Sequence, residues 1–338
     1  MQNSRAENVS TQDSEVFAMS FSQKINAFVK RSPARMAVII SVLLYAITVM
    51  IAPASLNIGA ITSIMMLTLL LSFASAGQTI VLIGGGLDFS VGAVMSAAAI
   101  LTVGTMNGQD GTFLQTFIIV MTMGAIVGIL NGICTTKIKL PALIVTMVVS
   151  NVLTRVTYVY TAGSPPGFAS PSFIQSVIGR YFNVIPSLSL YAVIIFGLMF
   201  YILNRSRFGR QLYLVGNNIE AARLCGIKVN RVKFLSYLFS ALFAAFAGML
   251  GAGYMQFAQC QMFDGYAFSS LIAVIVGGTT FAGGVGSYTG SIAGSLLMVV
   301  LSNMLSAMNL PQPVRNIVMC CILIALLTMY NRKKAVRQ

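Results

Sequence analysis

The chain has 338 residues, of which 57% are hydrophobic and only 8% charged, whereas an ordinary soluble domain carries roughly 25% charged residues. This composition excludes a soluble globular protein and indicates an all-α integral membrane protein, because helices satisfy their own backbone hydrogen bonds in lipid. The absence of histidine excludes histidine-based catalysis, and the formal charge of +14 has no aromatic-rich basic groove beside it that would indicate nucleic-acid binding.

Apolar segments of the length that a bilayer core requires follow one another along the chain. They cover residues 36–53, 58–83, 88–106, 113–136, 140–160, 188–204, 234–257, 266–282, 287–308 and 314–330. The sequence therefore predicts a polytopic bundle of about ten transmembrane helices, with some segments broken by glycine. The five cysteines form no CxxC pair, so we expect packing residues and no metal site.

Basic residues mark one side of the predicted bundle, since Lys and Arg concentrate in cytoplasmic loops. The clusters are the polar tail 1–35, Lys137 with Lys139, the loop 205–233 and the basic tail 331–338. Ten crossings place all of these clusters on the same side of the membrane. We therefore expect one transmembrane domain over 36–330 with cytoplasmic termini. The proline-rich outer loop 161–187 is expected to contain a short helix around 173–178.

An interrupted helix is predicted at GGGLDFSVG, residues 84–92, since three consecutive glycines disfavour a continuous helix. Asp88 is the acidic residue most surrounded by apolar sequence, and carboxylates in such positions usually have a function. Two interpretations stay open and are compatible: Asp88 caps the following helix, or the broken helix lines a solute pathway. The candidate pathway residues are Gly84, Gly85, Gly86, Asp88, Ser90, Asn131 and Asn151.

A second glycine-rich segment, VGGTTFAGGVGSYTG at residues 276–290, lacks the Gly-Lys pair of a Walker A phosphate loop. We expect its glycines to serve close packing and backbone bends. Residues 283–294 share a glycine spacing with residues 85–96, which we interpret as chance because small-residue packing alone produces it. Any ATP hydrolysis must come from another polypeptide, so the chain itself is expected to be no enzyme.

A short charged helix is predicted in GNNIEAARLCGIKVNRVKF, residues 216–234, between two apolar segments. Asn217 is the expected N-cap, Glu220 falls at the third helical position, and Gly226 suits the position after the helix end. A helix of about eight residues is marginal alone and needs a surface to dock against. The residues alone leave two docks open, anionic lipid and a protein socket, with lipid slightly favoured by the basic side chains.

The segment EAARLCG, residues 220–226, resembles the EAA---G loop of ABC-importer permeases. GGGLDFSVG, GGTTFAGGVGS, VYTAGSPP and the flanks of the EAA segment resemble further patterns of the ribose, xylose and galactose branch of that family. The likeness runs over about 36–330. Phe89 replaces the family's usual Leu, and Thr280 with Phe281 replaces its usual Ser-Leu, which weakens any inference about a particular sugar.

The resemblance implies a permease subunit of an ATP-driven importer in the bacterial inner membrane, paired with a second permease that is identical or different. An extracytoplasmic binding protein would deliver a pentose or hexose. ATP and Mg²⁺ would be held by separate ATPase subunits, so no cofactor is expected in this chain. In this family the EAA helix couples permease to ATPase. The coupling residues implied here are Asn217, Glu220, Ala221, Ala222, Arg223 and Gly226.

Other transport classes remain as alternatives. An ABC permease for nucleosides or branched-chain amino acids is the nearest one, and the GGGLDFSVG pattern favours sugars over it. An ion-coupled secondary transporter needs buried ionisable or sodium-binding groups, for which Asp88 alone is thin support. A membrane enzyme is disfavoured, since the chain shows neither paired carboxylates nor a GxSxG elbow.

Overall fold

The structure, a computed structural model, describes residues 33–164, 167–181, 185–311, 313–322 and 324, and most of these residues are helical. The helices are α1 (Pro33–Ile51), α2 (Ile58–Ile83), α3 (Val91–Met106), α4 (Phe113–Thr136), α5 (Ala142–Thr161), α6 (Pro171–Ile178), α7 (Leu188–Phe200), α8 (Arg207–Asn217), α9 (Ile219–Leu224), α10 (Val229–Met255), α11 (Tyr266–Val276), α12 (Tyr288–Ala307) and α13 (Pro313–Ile322). The remaining described elements are a 3-10 turn (Pro53–Leu56), a π-helical turn (Tyr201–Arg205) and an antiparallel pair, β1 (Arg180–Tyr181) with β2 (Ile185–Pro186). The predicted all-α class is confirmed. The predicted polar tails, 1–35 and 331–338, lie mostly outside the described residues.

Each predicted membrane segment coincides with one of these helices. Within the described residues, seven helical segments are long and apolar enough to cross a membrane, one of them being α7 together with the π-helical turn. Helices α3, α11 and α13 are shorter apolar helices. The segment predicted over 266–282 ends early, because α11 stops at Val276 and Gly278 then adopts a left-handed φ of 99°. The segment predicted from 234 begins earlier, since α10 starts at Val229. Of the segment predicted over 314–330, the structure describes 314–322 and 324.

Helix α10 packs against α2, α3 and α4, and 16 of its 27 residues are buried. Small residues let the backbones approach closely, as is usual where lipid supplies no hydrophobic driving force between helices. A Cβ on Gly77 of α2 would lie 2.6 Å from the Cα of Ser240, and one on Gly248 would lie 2.2 Å from the carbonyl oxygen of Met95. Glycine is therefore required at both crossings.

A second group of helices is built around α12, which packs against α1, α2 and α11. Helix α2 belongs to both groups, and its second half is buried throughout. Hydroxyl pairs join it to α12: Thr79 lies 2.7 Å from Ser291, and Ser75 lies 3.2 Å from Ser295. Helix α2 thus connects the α10 group with the α12 group.

The predicted short helix in the loop 161–187 is confirmed as α6. The Ser170 side chain caps it by accepting a hydrogen bond from the N–H of Phe173 at 3.4 Å. Asp110, in the turn between α3 and α4, accepts hydrogen bonds from the hydroxyl and the N–H of Ser172, and these bonds lower the pKa of its carboxyl.

Candidate coupling helix and helix break

The short charged helix exists as α9, which is six residues long. The predicted cap is wrong by one residue, because Asn217 is the last residue of α8. Asn218 has the extended backbone that a cap requires, and its Oδ1 accepts hydrogen bonds from the N–H groups of Glu220 at 3.0 Å and Ala221 at 3.1 Å. Glu220 is consequently the second helical residue and not the third. Gly226 adopts a φ of 75°, which confirms its expected place after the helix end.

Helix α9 has one buried side and one exposed side. Ala222 is 3% exposed and packs into the chain's own core, so this predicted coupling residue faces inward. Glu220 and Arg223 lie outward and form an ion pair of 2.8 Å, with side chains 75% and 58% exposed. Leu224, which the sequence reasoning missed, is 90% exposed. The spacing from Ala222 could have indicated this exposure, because a residue two positions further along a helix lies roughly on the opposite face.

Helix α8 holds α9 against the body of the protein. Asn218 is both the C-cap of α8 and the N-cap of α9, so a single residue joins the two helices. Leu212 and Val215 are fully buried. The Tyr213 hydroxyl donates a hydrogen bond of 2.9 Å to the carbonyl oxygen of Gly286, and burial raises the pKa of Tyr213. Helices α8 and α9 are therefore joined directly, and α8 is anchored in the core.

The end of α8 meets both glycine-rich segments in what we call the glycine junction: Ile83, Gly85, Gly216, Gly283 and Gly284. The Gly284 N–H donates a hydrogen bond of 2.9 Å to the carbonyl oxygen of Ile83, the last residue of α2. A Cβ on Gly216 would lie 1.8 Å from that same oxygen. A Cβ on Gly283 would lie 3.0 Å from the Cα of Gly85. Three backbones that are distant in sequence thus come into direct contact.

Between α2 and α3 the chain breaks as predicted, at residues 84–90. Asp88 is 0% exposed there. Its Oδ1 accepts hydrogen bonds from the N–H of Ser90 at 2.9 Å and from the Ser90 hydroxyl at 2.5 Å. Its Oδ2 accepts one from the Ser240 hydroxyl at 2.7 Å. The N-cap of α3 is Ser90 and not Asp88. The carboxylate therefore attaches the helix break to α10 and does not cap α3.

The structure brings together most of the candidate pathway residues. Asn131 of α4 is fully buried and donates a hydrogen bond of 2.9 Å to the Ser90 hydroxyl. Glycines 84–86 form the turn beside this cluster, where a Cβ on Gly86 would lie 2.6 Å from the hydroxyl oxygen of Tyr237. Asn151 is the exception: it is exposed on α5 and donates to the carbonyl oxygen of Met147 at 2.9 Å.

Taken together, these features are backbone and side-chain contacts that join distant segments of the bundle. In the part of the chain that the structure describes, no group of three acidic, cysteine or histidine side chains lies close enough to hold a metal ion. A surface helix is connected by rigid backbone contacts to the ends of two buried helices inside a polytopic bundle. Such an arrangement, in a polytopic helical bundle, is typical of a membrane transport permease.

The comparisons with known proteins specify this class. Residues 60–327 match the family described as branched-chain amino acid transport system, permease component. The chain is 30% identical to the ribose import permease of Escherichia coli K12, over 86% of this chain and 91% of the relative. It is 31% identical to the ribose import permease of Bacillus subtilis 168, over 77% and 80% respectively. The fructose import permease of Rhizobium meliloti is 29% identical, over 83% and 80%.

No solved structure matches the chain. The chain belongs to this family of transport permeases, and the predicted resemblance to the monosaccharide permeases of ABC importers is confirmed.

Proposed function

We propose that the chain is the permease subunit of an ATP-driven importer of a pentose or hexose in the bacterial inner membrane. Its relatives' names, ribose and fructose import permease, support the sugar class. The family description names branched-chain amino acids instead, which makes such an amino acid the second candidate solute. Competition of labelled ribose and fructose uptake by unlabelled leucine distinguishes the two.

The proposed coupling to an ATPase rests on the exposed side of α9. Leu224 is a large apolar side chain, 90% exposed, next to the charged pair of Glu220 and Arg223. Lipid binding by an interfacial helix scales with buried apolar area, and this helix offers little beyond one leucine. A single projecting apolar side chain with charges beside it is better suited to a pocket in a partner protein. We therefore assign the docking surface to an ATPase subunit.

The partners follow from this assignment. ATP and Mg²⁺ belong to the ATPase subunits, an extracytoplasmic binding protein delivers the sugar, and a second permease, identical or different, completes the pathway within the lipid bilayer. The loop 205–233 and both termini lie on the cytoplasmic side, and the loop 161–187 lies on the outer side. The clustering of basic residues in the cytoplasmic segments supports this orientation.

The mechanism is a coupled conformational equilibrium. Closure of the ATPase can shift the inward–outward equilibrium only through contacts that differ between the two states. Moving that equilibrium from 1:99 to 99:1 requires about 5.5 kcal/mol of differential interaction. In our proposal the displacement of α9 passes through Asn218 to α8. The glycine junction then transmits it to the end of α2 and to the turn that precedes α12.

Charge reversal in α9 tests the assignment. Glu220→Lys replaces the ion pair with Arg223 by repulsion on an exposed surface, so the protein should still fold. ATP-dependent uptake of ribose and fructose should be lost. Gln211→Lys also introduces a lysine, on the exposed face of α8, and should transport normally. Gly226→Val, which forces a β-branched residue into a left-handed φ, should also uncouple uptake. Normal uptake by both Glu220→Lys and Gly226→Val at normal expression contradicts the proposal.

A further inference from the structure

A cavity of about 500 Å³ lies between α2, α11, α12 and α13. This volume is within the range of about 300–1,000 Å³ that is usual for small-molecule sites. Its walls carry a set of polar side chains: Ser63, Ser269, Ser302, Asn303, Ser306 and Arg315. The cavity is separate from the Asp88 cluster, because it is lined by the first half of α2 and the second half of α12.

Several of these polar groups have no hydrogen-bond partner among the residues that the structure describes. Ser269, Ser302 and Asn303 are half-buried, and their side chains make no hydrogen bond to another described residue. The Nε of Arg315 is buried and unpartnered, while its Nη1 donates to the Ser306 hydroxyl. Buried polar groups are normally hydrogen-bonded. The cavity therefore presents donors and acceptors to whatever occupies it.

The lining also indicates the chemistry of the occupant. No acidic residue is among the described residues that line the cavity, so a cation has no counter-charge there. Hydroxyl and amide groups both donate and accept, as the hydroxyls of a sugar do. The cavity of about 540 Å³ between α3, α4 and α5 is different, because Thr122 is the only polar residue among its described lining. That second cavity suits hydrocarbon.

We propose that the polar cavity is a binding site for a neutral polyhydroxylated solute, which is the monosaccharide if the proposed function holds. The position of the cavity connects solute binding with the proposed coupling to the ATPase. Helices α2 and α12 both line the cavity, and the glycine junction joins the opposite end of α2 to the turn that precedes α12. A displacement at the junction would therefore change the spacing of the walls that hold the solute.

Thiol protection tests the site without ATP or partner subunits. Ser302→Cys is introduced into the full-length protein whose five native cysteines are replaced by serine, and the purified protein reacts with a maleimide in detergent. Ribose should slow the reaction at least severalfold. Ser150→Cys, a half-buried serine on α5, is the matched control, and its reaction should be unaffected by ribose. Addition of Asn303→Leu should raise the protecting ribose concentration about threefold to tenfold, as expected for one lost hydrogen bond.

The outcomes separate this proposal from the proposed function. No protection of the cysteine at position 302 by ribose or fructose overturns the site, even if the intact transporter imports either sugar. Better protection by ribonate, the corresponding anion, overturns the assignment to a neutral solute. Protection without ATP-dependent uptake supports the site and contradicts the coupling. A readout that needs no substitution is the unfolding temperature of the unaltered protein, which ribose should raise and ribonate should not.

Discussion

The backbone contact at Gly216 makes a sharp prediction for the substitution Gly216→Ala. The added Cβ would lie 1.8 Å from the carbonyl oxygen of Ile83 and 2.5 Å from the N atom of Gly284. Ordinary contacts between a carbon atom and a carbonyl oxygen are about 3.3–3.6 Å. The end of α8 must therefore move away from α2 by roughly 1.5 Å, which is more than a side-chain rotation can absorb because both neighbours are backbone atoms.

The size of the effect follows from this displacement. Overpacking of this kind costs about 1–3 kcal/mol, and the hydrogen bond from Gly284 to Ile83, 2.9 Å long, is disturbed as well. Alanine gains about 1 kcal/mol over glycine in a helix interior, which offsets only part of the loss. We expect a lower free energy of unfolding together with impaired ATP-dependent uptake, because the end of α8 is displaced from Ile83 and Gly284.

Thermal unfolding in detergent and uptake measurements check this prediction. Gly197→Ala is the matched control, since Gly197 lies inside α7 and nothing lies within 4 Å of the added Cβ. That variant should be as stable as the unaltered protein or slightly more stable. If Gly216→Ala unfolds at or above the temperature of Gly197→Ala and transports normally, the reasoning from the glycine junction is refuted.

Three further substitutions test other parts of the account. Asp88→Ala removes the acceptor of three buried hydrogen bonds, including that of Ser240, and should lower the free energy of unfolding by about 2–4 kcal/mol in denaturant titrations; a loss below about 1 kcal/mol contradicts this. The lowered pKa of Asp110 contributes stability that is present above its ordinary pKa and lost as the pH falls through the lowered value. Ser172→Ala should therefore weaken the acid dependence of the unfolding temperature. Leu224→Glu should leave that temperature unchanged but reduce capture of the ATPase about tenfold or more.

The membrane segments were predictable because a bilayer imposes a nearly fixed length on apolar helices. Local backbone chemistry was predictable too: Gly226 was expected after a helix end, where glycine tolerates a left-handed φ. Two adjacent asparagines made the cap ambiguous, since the choice depends on which residue α8 includes. Asn217 remains helical because α8 continues to it, and Asn218 is left to cap α9.

Contacts between distant segments were not predictable from the sequence. Ser240 is 152 residues from Asp88, and no periodicity indicates that the two share a hydrogen bond. The glycine-rich segments around Gly85 and Gly283 share a glycine spacing, but nothing in that spacing indicates that they meet at the end of α8. Hydrophobic patterns in a membrane helix show little contrast between faces, because lipid and protein interior are both apolar. Which helix faces which therefore depends on packing in three dimensions.

The docking of α9 on an ATPase is tested most directly by photocrosslinking in intact membranes. A photoreactive residue replaces Leu224, and a second variant carries it in place of Val159, which is 83% exposed at the other end of the predicted topology, near the outer loop. We predict that the first variant crosslinks to a subunit carrying a Walker A motif and that the second does not. Crosslinks from position 224 to lipid alone would contradict the account and return α9 to the membrane surface.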